Sequence, residues 1–168
     1  MTTAAQIEKG REQIRFDNFS ALRDKVGGSF TPWGDGIRVT ETMIQAFVAV
    51  SGEDHWIHTN RERSRSEGPF GDIIAPTSLI VSAAYRSGFD PGFDITNATV
   101  QRTIHGTFSV LGVVPVDTTI HSRSRFLAVA NLDAFGTRLT FEFQVRREGH
   151  SHLVLSGEIS VLYNAPAK

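Results

Sequence analysis

The sequence predicts an α+β protein, in which one buried helix lies on a curved antiparallel sheet. Residues 79–85 are apolar almost all round, as a fully buried helix requires. Apolar and polar residues alternate along residues 138–146 and again along residues 153–163, which is typical of strands with one buried face. The helical patterns come before these strands in the chain, so the helices and the sheet are expected to be segregated.

The first half of the chain is predicted to be mainly helical. Residues 4–26 are charged and compatible with a helix. A second helix is expected to begin after Thr40, its N-cap, and to stop at Gly52. Residues 60–68 are polar and highly charged, so a surface loop or a short exposed helix is expected there. The first segment offers four apolar residues for docking on the rest of the domain: Ile14, Phe16, Phe19 and Leu22.

Strands are expected to dominate the second half. Residues 29–38 are interpreted as a short strand and loop, and residues 91–97 as a connection. Residues 100–110 and 118–129 are compatible with strands, and Gly149 is expected in the tight turn of the last hairpin. These segments together predict a long antiparallel meander.

Composition restricts the possible functions. A chain of 168 residues, 40% of them hydrophobic, suits a single domain spanning residues 1–168. The net charge of −1 gives no electrostatic reason to expect a nucleic acid or an anionic membrane as partner. The absence of cysteine excludes disulfides, thiolate catalysis and cysteine-rich zinc sites. The N-terminus lacks a signal-peptide pattern and no apolar run is long enough to span a bilayer, so a cytoplasmic protein is expected.

One stretch carries the residue types of a catalytic site. Glu53 follows the predicted helix stop at Gly52, and His58 comes five residues later. A further helix is expected to begin at Pro76 and Thr77. A carboxylate, an imidazole and the unpaired amides of a helix start can therefore converge on one cleft.

This stretch resembles the MaoC-like hydratases and dehydratases, and most closely their NodN-like branch. That family carries Ser-Gly-Asp, then Trp-Ile-His, then Pro-Phe-Gly and Ile-Ala-His-Gly at the start of a central helix. The chain has Glu53 where the family has Asp, and Pro76 and Thr77 where the family has His-Gly. The resemblance extends more loosely from Phe30 to Tyr163. The matching residues are Ser51, Gly52, Trp56, Ile57, His58, Pro69, Phe70, Gly71, Ile74 and Ala75.

The resemblance implies the hotdog fold, a curved sheet wrapped around a central helix that is bounded here by about Pro76 and Gly88. It also implies that two subunits pair side by side as a homodimer. The substrate it implies is an acyl thioester of coenzyme A or of a carrier protein, with no cofactor and no metal.

The resemblance also implies a role for each site residue. Adding water to an enoyl thioester requires proton transfer and hydrogen-bond donors for the enolate-like oxygen. Glu53 and His58 share the proton transfers, and the backbone amide of Thr77 is the oxyanion donor. Asp54, one residue further on, is the alternative acid.

Several neighbouring residues are candidates for weaker roles. Arg61, Arg63 and Arg65 alternate with acids and are interpreted as a solvated face rather than as contacts to coenzyme A phosphates. His55 and His58 are three residues apart, but no metal-binding motif accompanies them, so no metal is expected. Five further residues are candidates for substrate binding, although packing is the preferred interpretation for Trp56 and Phe70, and a satisfied core position is preferred for His105. The candidate substrate-binding residues are Trp56 and Phe70 (packing), His105 (core), Pro76 and Ser78.

The preferred function is an (R)-specific 2-enoyl-thioester hydratase, or the same reaction reversed as a 3-hydroxyacyl-thioester dehydratase. One alternative is a non-catalytic subunit that binds an acyl thioester or another ligand, in which the differences at Glu53, Pro76 and Thr77 reflect the loss of chemistry. Another is a dehydratase, lyase or cyclase acting on a non-standard biosynthetic substrate. In a purely structural interpretation, His58 caps a helix and Glu53 is an ordinary surface acid.

Overall fold

Seven strands and five α-helices form within residues 10–86 and 90–165, the parts of the chain that the computed structural model describes. A 3-10 turn at Asp133–Phe135 joins the fifth and sixth strands. No helix within these ranges is long and apolar enough to cross a membrane. In chain order the elements are β1 (Gln13–Arg15), α1 (Phe19–Arg23), β2 (Ile37–Val39), α2 (Glu41–Ser51), α3 (Trp56–Thr59), α4 (Arg61–Ser66), α5 (Thr77–Arg86), β3 (Asp94–Thr96), β4 (Val100–Val110), β5 (Thr118–Asn131), β6 (Thr137–Arg147) and β7 (Leu153–Asn164).

One curled antiparallel sheet carries the fold, with five strands in the order β2-β5-β6-β7-β4. Strands β5, β6 and β7 follow one another as a meander, as predicted. The prediction of one continuous meander is wrong for β4, which pairs with β7 at the opposite edge from β2. The segment after β4 therefore crosses the end of the sheet, bonding first to Val154 of β7 and finally to Val39 of β2.

Helix α5 lies on the concave face of this sheet, which confirms the α+β class. Its buried residues Leu79, Ile80, Ala83 and Ala84 share one apolar cluster with residues of β6 and β7. The prediction that residues 79–85 belong to a fully buried helix is wrong at Tyr85, which is exposed. The predicted end at Gly88 lies outside the described residues.

The N-terminal segment packs on the sheet next to α5, but it is not one helix. Within residues 10–26, a short strand, β1, precedes the single short helix α1, and residues 4–9 lie outside the described part of the chain. Strand β1 pairs in parallel with β3, so the stretch predicted as a mere connection contains a strand. Ile14, Phe16 and Leu22 are buried in a second apolar cluster, as predicted, whereas Phe19 is only half-buried.

The ends of α2 are those that the sequence predicts. The Thr40 hydroxyl accepts a hydrogen bond from the Met43 amide at 3.3 Å, which makes Thr40 the N-cap. Gly52 ends the helix in the left-handed conformation, with a φ of 74°. The charged stretch that follows contains α4, a short exposed helix.

Candidate active site

Glu53 lies in a tight turn between α2 and α3. The Glu53 amide donates to the Ser51 hydroxyl at 3.2 Å, and the Asp54 amide donates to the Gly52 carbonyl at 2.9 Å. Glu53 is half-buried on the wall of a cavity, whereas Asp54 is exposed and does not line it. The turn therefore presents the first of the two acids to the cavity.

His58 is held on α3 by a backbone carbonyl. Its Nδ1 lies 2.7 Å from the carbonyl oxygen of Ile74. A carbonyl oxygen can only accept, so Nδ1 carries the hydrogen, and in the neutral ring Nε2 is left with its lone pair. The Ile74 amide donates to the Ile57 carbonyl at 3.0 Å, which fixes the same two segments a second time. His58 is therefore prepared to act as a base through Nε2.

The start of α5 supplies backbone donors. Pro76 is fully buried, and its carbonyl accepts hydrogen bonds from the amides of Leu79 and Ile80 at 3.1 and 3.3 Å. Thr77 is the first helical residue, and within the described chain nothing accepts a hydrogen bond from its amide. Unpaired amides at a helix start favour negative charge nearby.

These groups line one cavity of about 210 Å³. Its polar side chains are Glu53, His58 and Thr77, and the rest of the wall is mostly aliphatic. A proton acceptor, a second acceptor and a helix start thus share an otherwise apolar space, which is the combination that proton transfer beside a developing oxyanion requires. The aliphatic lining comes from α3, the segment before α5, α5 itself, the end of β4, the segment after β4, and β7: Ile57, Ile74, Ala75, Ile80, Val110, Val113, Val114, Val154 and Leu155.

The candidate substrate-binding residues lie outside this cavity wall. The Trp56 ring packs under the Arg63 guanidinium at 4.6 Å, and Phe70 is 43% exposed. Pro76 is fully buried, and Ser78, the second residue of α5, is exposed. His105 is exposed on β4, so its interpretation as a core histidine is wrong.

The nearby charged residues have structural partners. The His55 Nδ1 accepts from the Ile57 amide at 3.4 Å, so His55, not His58, caps α3. Arg61 and Arg65 both bind the Asp72 carboxylate. In residues 10–86 and 90–165, no cluster of three or more histidine, aspartate or glutamate side chains suits a metal ion.

Asp72 was not among the candidates from the sequence. Burial raises the pKa of its carboxyl, but hydrogen bonds from Arg61, the Ile73 amide and Arg65 outweigh that effect and hold the pKa below its usual range. The spacing of Arg61 and Arg65 along one helical face is the signal that points to a shared acid. No comparable signal indicates the Ile74 carbonyl.

Comparison with known proteins supports the fold. No family model and no curated protein matches the sequence. Among solved structures, the R-hydratase PhaJ1 from Pseudomonas aeruginosa is 16% identical, with a TM-score of 0.64, over 86% of this chain and 85% of its own. The MaoC-like dehydratase from Rhodospirillum rubrum is also 16% identical, with a TM-score of 0.65, over 87% of this chain and 98% of its own.

A third neighbour is described as a monoamine oxidase regulatory protein from Archaeoglobus. It is 22% identical, with a TM-score of 0.64, over 83% of this chain and 91% of its own. The match in each case covers most of both chains. The chain therefore has the hotdog fold that MaoC-like dehydratases and (R)-hydratases adopt.

Proposed function

We propose that the chain is a hydro-lyase of the (R)-specific 2-enoyl-thioester hydratase type, or the same enzyme working in reverse as a 3-hydroxyacyl-thioester dehydratase. The observation that carries the proposal is the shared cavity of Glu53, His58 and the Thr77 end of α5. The fold of the (R)-hydratase and dehydratase neighbours agrees with this reaction class.

The reaction follows from the chemistry of these groups. A water molecule between the Glu53 carboxylate and the His58 Nε2 meets two hydrogen-bond acceptors. One of them takes a proton as the water oxygen bonds to C3 of the enoyl thioester, and the π electrons move to the thioester oxygen. The Thr77 amide binds that enolate oxygen. The group that took the proton from water then donates a proton to C2, and the enolate re-forms the thioester carbonyl. Hydrogen and hydroxyl are thereby added across the double bond.

The cavity wall also suits the acyl part of such a substrate. Apart from its polar end, the wall is mostly aliphatic, and an acyl chain is stabilised there by the removal of its apolar surface from water. The thioester carrier, coenzyme A or a carrier protein, would remain outside a cavity of about 210 Å³.

The test is to incubate the protein with crotonyl-CoA and with longer enoyl-CoA thioesters, and to measure hydration as the loss of the enoyl-thioester ultraviolet band. We expect His58→Ala and Glu53→Gln to lower the rate by about 10² to 10⁴, because each removes a positioned proton-transfer group. Asp54→Asn is the matched control and is expected to keep the wild-type rate, because Asp54 is exposed and lies off the cavity. No change of the band with any chain length, at high enzyme concentration, contradicts the proposal.

The same assay separates the two alternatives. A non-catalytic acyl-thioester subunit would bind a saturated acyl-CoA in calorimetry without hydrating the enoyl series. A dehydratase, lyase or cyclase for a non-standard substrate would show neither binding nor turnover with simple acyl-CoA thioesters.

We also propose that the protein forms a homodimer through β4. Within the described chain β4 is the longer of the two edge strands of the sheet, and all eleven of its residues are exposed in a single subunit. Large apolar side chains are among them: Val100, Ile104, Phe108 and Val110. A long exposed edge strand with apolar side chains is a template for pairing with another strand, and a second copy of β4 supplies one.

A further inference from the structure

Asp72 joins the two segments that form the candidate active site. Its Oδ2 accepts from Arg61, whose Nε and Nη2 donate at 3.2 and 3.1 Å, and from Arg65, whose Nη2 donates at 2.9 Å. Oδ1 also accepts from the Ile73 amide at 2.8 Å. Arg61 reaches further, to the Glu41 carboxylate in the first turn of α2 at 2.8 Å. Asp72 therefore links the segment before α5 to α4 and, through Arg61, also to α2.

The position of Asp72 in the chain gives this link a specific consequence. Asp72 is two residues before Ile74, whose carbonyl holds the His58 Nδ1, and Arg61 is three residues after His58. Two sets of contacts therefore join the ends of the segment from His58 to Ile74. One is the hydrogen bond between His58 and Ile74, and the other is formed by the ion pairs of Asp72. Because Asp72 is only two residues from Ile74, its ion pairs restrain the same carbonyl oxygen that orients the His58 imidazole.

This ion-pair group differs from an ordinary surface pair. The Asp72 side chain is 21% exposed and takes hydrogen bonds from two guanidinium groups and a backbone amide. By comparison, the side chains of Arg63 on α4 and of Glu67, its C-cap residue, are 49% and 60% exposed and pair through an i,i+4 contact. An exposed pair such as Arg63 and Glu67 contributes little to stability, whereas a partly buried network of several charges can hold a backbone segment in place.

We propose that Asp72 is a positioning residue, which through Arg61 and Arg65 keeps the Ile74 carbonyl against His58 and thereby fixes the imidazole as the Nδ1–H tautomer. This inference rests on the proposed function only for its catalytic consequence, since the tautomer exists without any substrate. Asp72 touches no reacting atom. Its effect on the reaction is to keep the Nε2 lone pair of His58 available as the base.

The direct test is histidine ¹⁵N NMR of the substrate-free protein at alkaline pH, with the His58 signals identified by their loss in His58→Gln. Wild type is expected to show the Nδ1–H tautomer. Asp72→Asn, which keeps an acceptor for the Ile73 amide but removes the charge, is expected to give a mixture of both tautomers. Glu67→Gln, the matched control at the C-cap of α4, is expected to leave the His58 signals unchanged.

Kinetics measure the consequence for the reaction. Asp72→Asn is expected to lower kcat by about tenfold to a hundredfold, with a smaller effect on KM, because a misplacement of roughly 1 Å in a catalytic group costs about that much. Asp72→Glu is expected to recover part of the loss, and Glu67→Gln to retain the wild-type kcat. If no enoyl thioester is hydrated at all, the proposed function fails while the NMR result still decides the role of Asp72.

A milder variant covers the case in which Asp72→Asn does not fold. Arg65→Gln removes one of the two guanidinium groups and leaves Arg61 bound to Asp72 and Glu41. It is expected to shift the tautomer population in the same direction by a smaller amount. An unchanged His58 tautomer in the folded Asp72→Asn protein, or in Arg65→Gln where the first does not fold, overturns the proposal.

Discussion

Glu53 and Asp54 are consecutive acids with different surroundings, because Gly52 turns the chain sharply between α2 and α3. The left-handed φ of 74° at Gly52 lets the Asp54 amide bond back to the Gly52 carbonyl, and this turn directs only Glu53 to the cavity wall. The longer glutamate side chain at this position thus belongs to a cavity that also has Thr77 at its helix start. Both differences from the MaoC-like pattern occur in the same space.

Glu53→Asp is therefore expected to lower turnover of the best enoyl-thioester substrate by about tenfold to a hundredfold and to give no gain with crotonyl-CoA. Shortening the side chain by one methylene withdraws the carboxylate by about 1 Å from a cavity shaped for glutamate, and a displacement of that size costs about this much. The measurement is kcat/KM across the enoyl-CoA series, with Asp54→Glu as the control for a changed acid outside the cavity. A faster reaction with crotonyl-CoA would mean that Glu53 is a displaced acid working on a standard substrate.

At the residue scale, the residues that line the cavity could be predicted from the sequence, whereas the groups that orient His58 could not. Glu53, His58 and Thr77 were identified by residue type and spacing, and the cavity contains all three. The carbonyl that orients His58 belongs to Ile74, and any residue type offers a carbonyl. Asp72 was missed because its partners lie seven and eleven residues away, and only the folded loop brings them together.

At the scale of elements, the boundaries followed the sequence pattern but the pairing order did not. The alternation along β6 buries Leu139, Phe141, Phe143 and Val145, as predicted. Alternation says which face of a strand is buried but not which neighbour it pairs with, so it could not place β4 beside β7. The helical prediction for the N-terminal segment failed because Ile14 and Phe16, two residues apart, are buried by a strand rather than by a helix.

The loop before β2 is held on the outer face of the sheet by alternating aromatic rings and arginines. The guanidinium groups of Arg123 and Arg146 lie 4.4 and 4.2 Å from the centre of the Trp33 ring. The guanidinium groups of Arg123 and Arg125 lie 4.6 and 4.8 Å from the centre of the Phe30 ring. This stacking fixes the loop against β5 and β6.

Trp33→Leu is expected to lower the free energy of unfolding by about 1 to 2 kcal/mol, because it keeps apolar bulk but removes the ring face that two cations contact. Urea unfolding followed by circular dichroism measures the change. Phe135→Leu is the control, since Phe135 is 73% exposed and is expected to have little effect. Equal stability of Trp33→Leu and wild type would show that the stacking contributes nothing.

At the scale of the whole molecule, the same loop makes the two sides of the sheet different. The amides of Thr31 and Gly34 donate to the carbonyls of Ser124 and Ser122, so the loop continues the pairing along β5 beyond the short strand β2. The edge of β5 beyond β2 is thereby paired, whereas β4 is an eleven-residue edge strand whose residues are all exposed. We therefore expect self-association through strand pairing to use β4.

The wild-type protein is expected to sediment as a dimer, at twice the subunit mass of 18.5 kDa, and Ile104→Lys with Phe108→Lys is expected to sediment as a monomer. Lysines along an open edge oppose pairing, because two copies of β4 would bring like charges together and would have to desolvate them. Val50→Lys is the control, since Val50 is 90% exposed but lies on α2, far from β4 in the chain. Circular dichroism must show the same fold in all three proteins. A monomeric wild type at micromolar concentration, or a double variant that remains dimeric, would assign β4 another role.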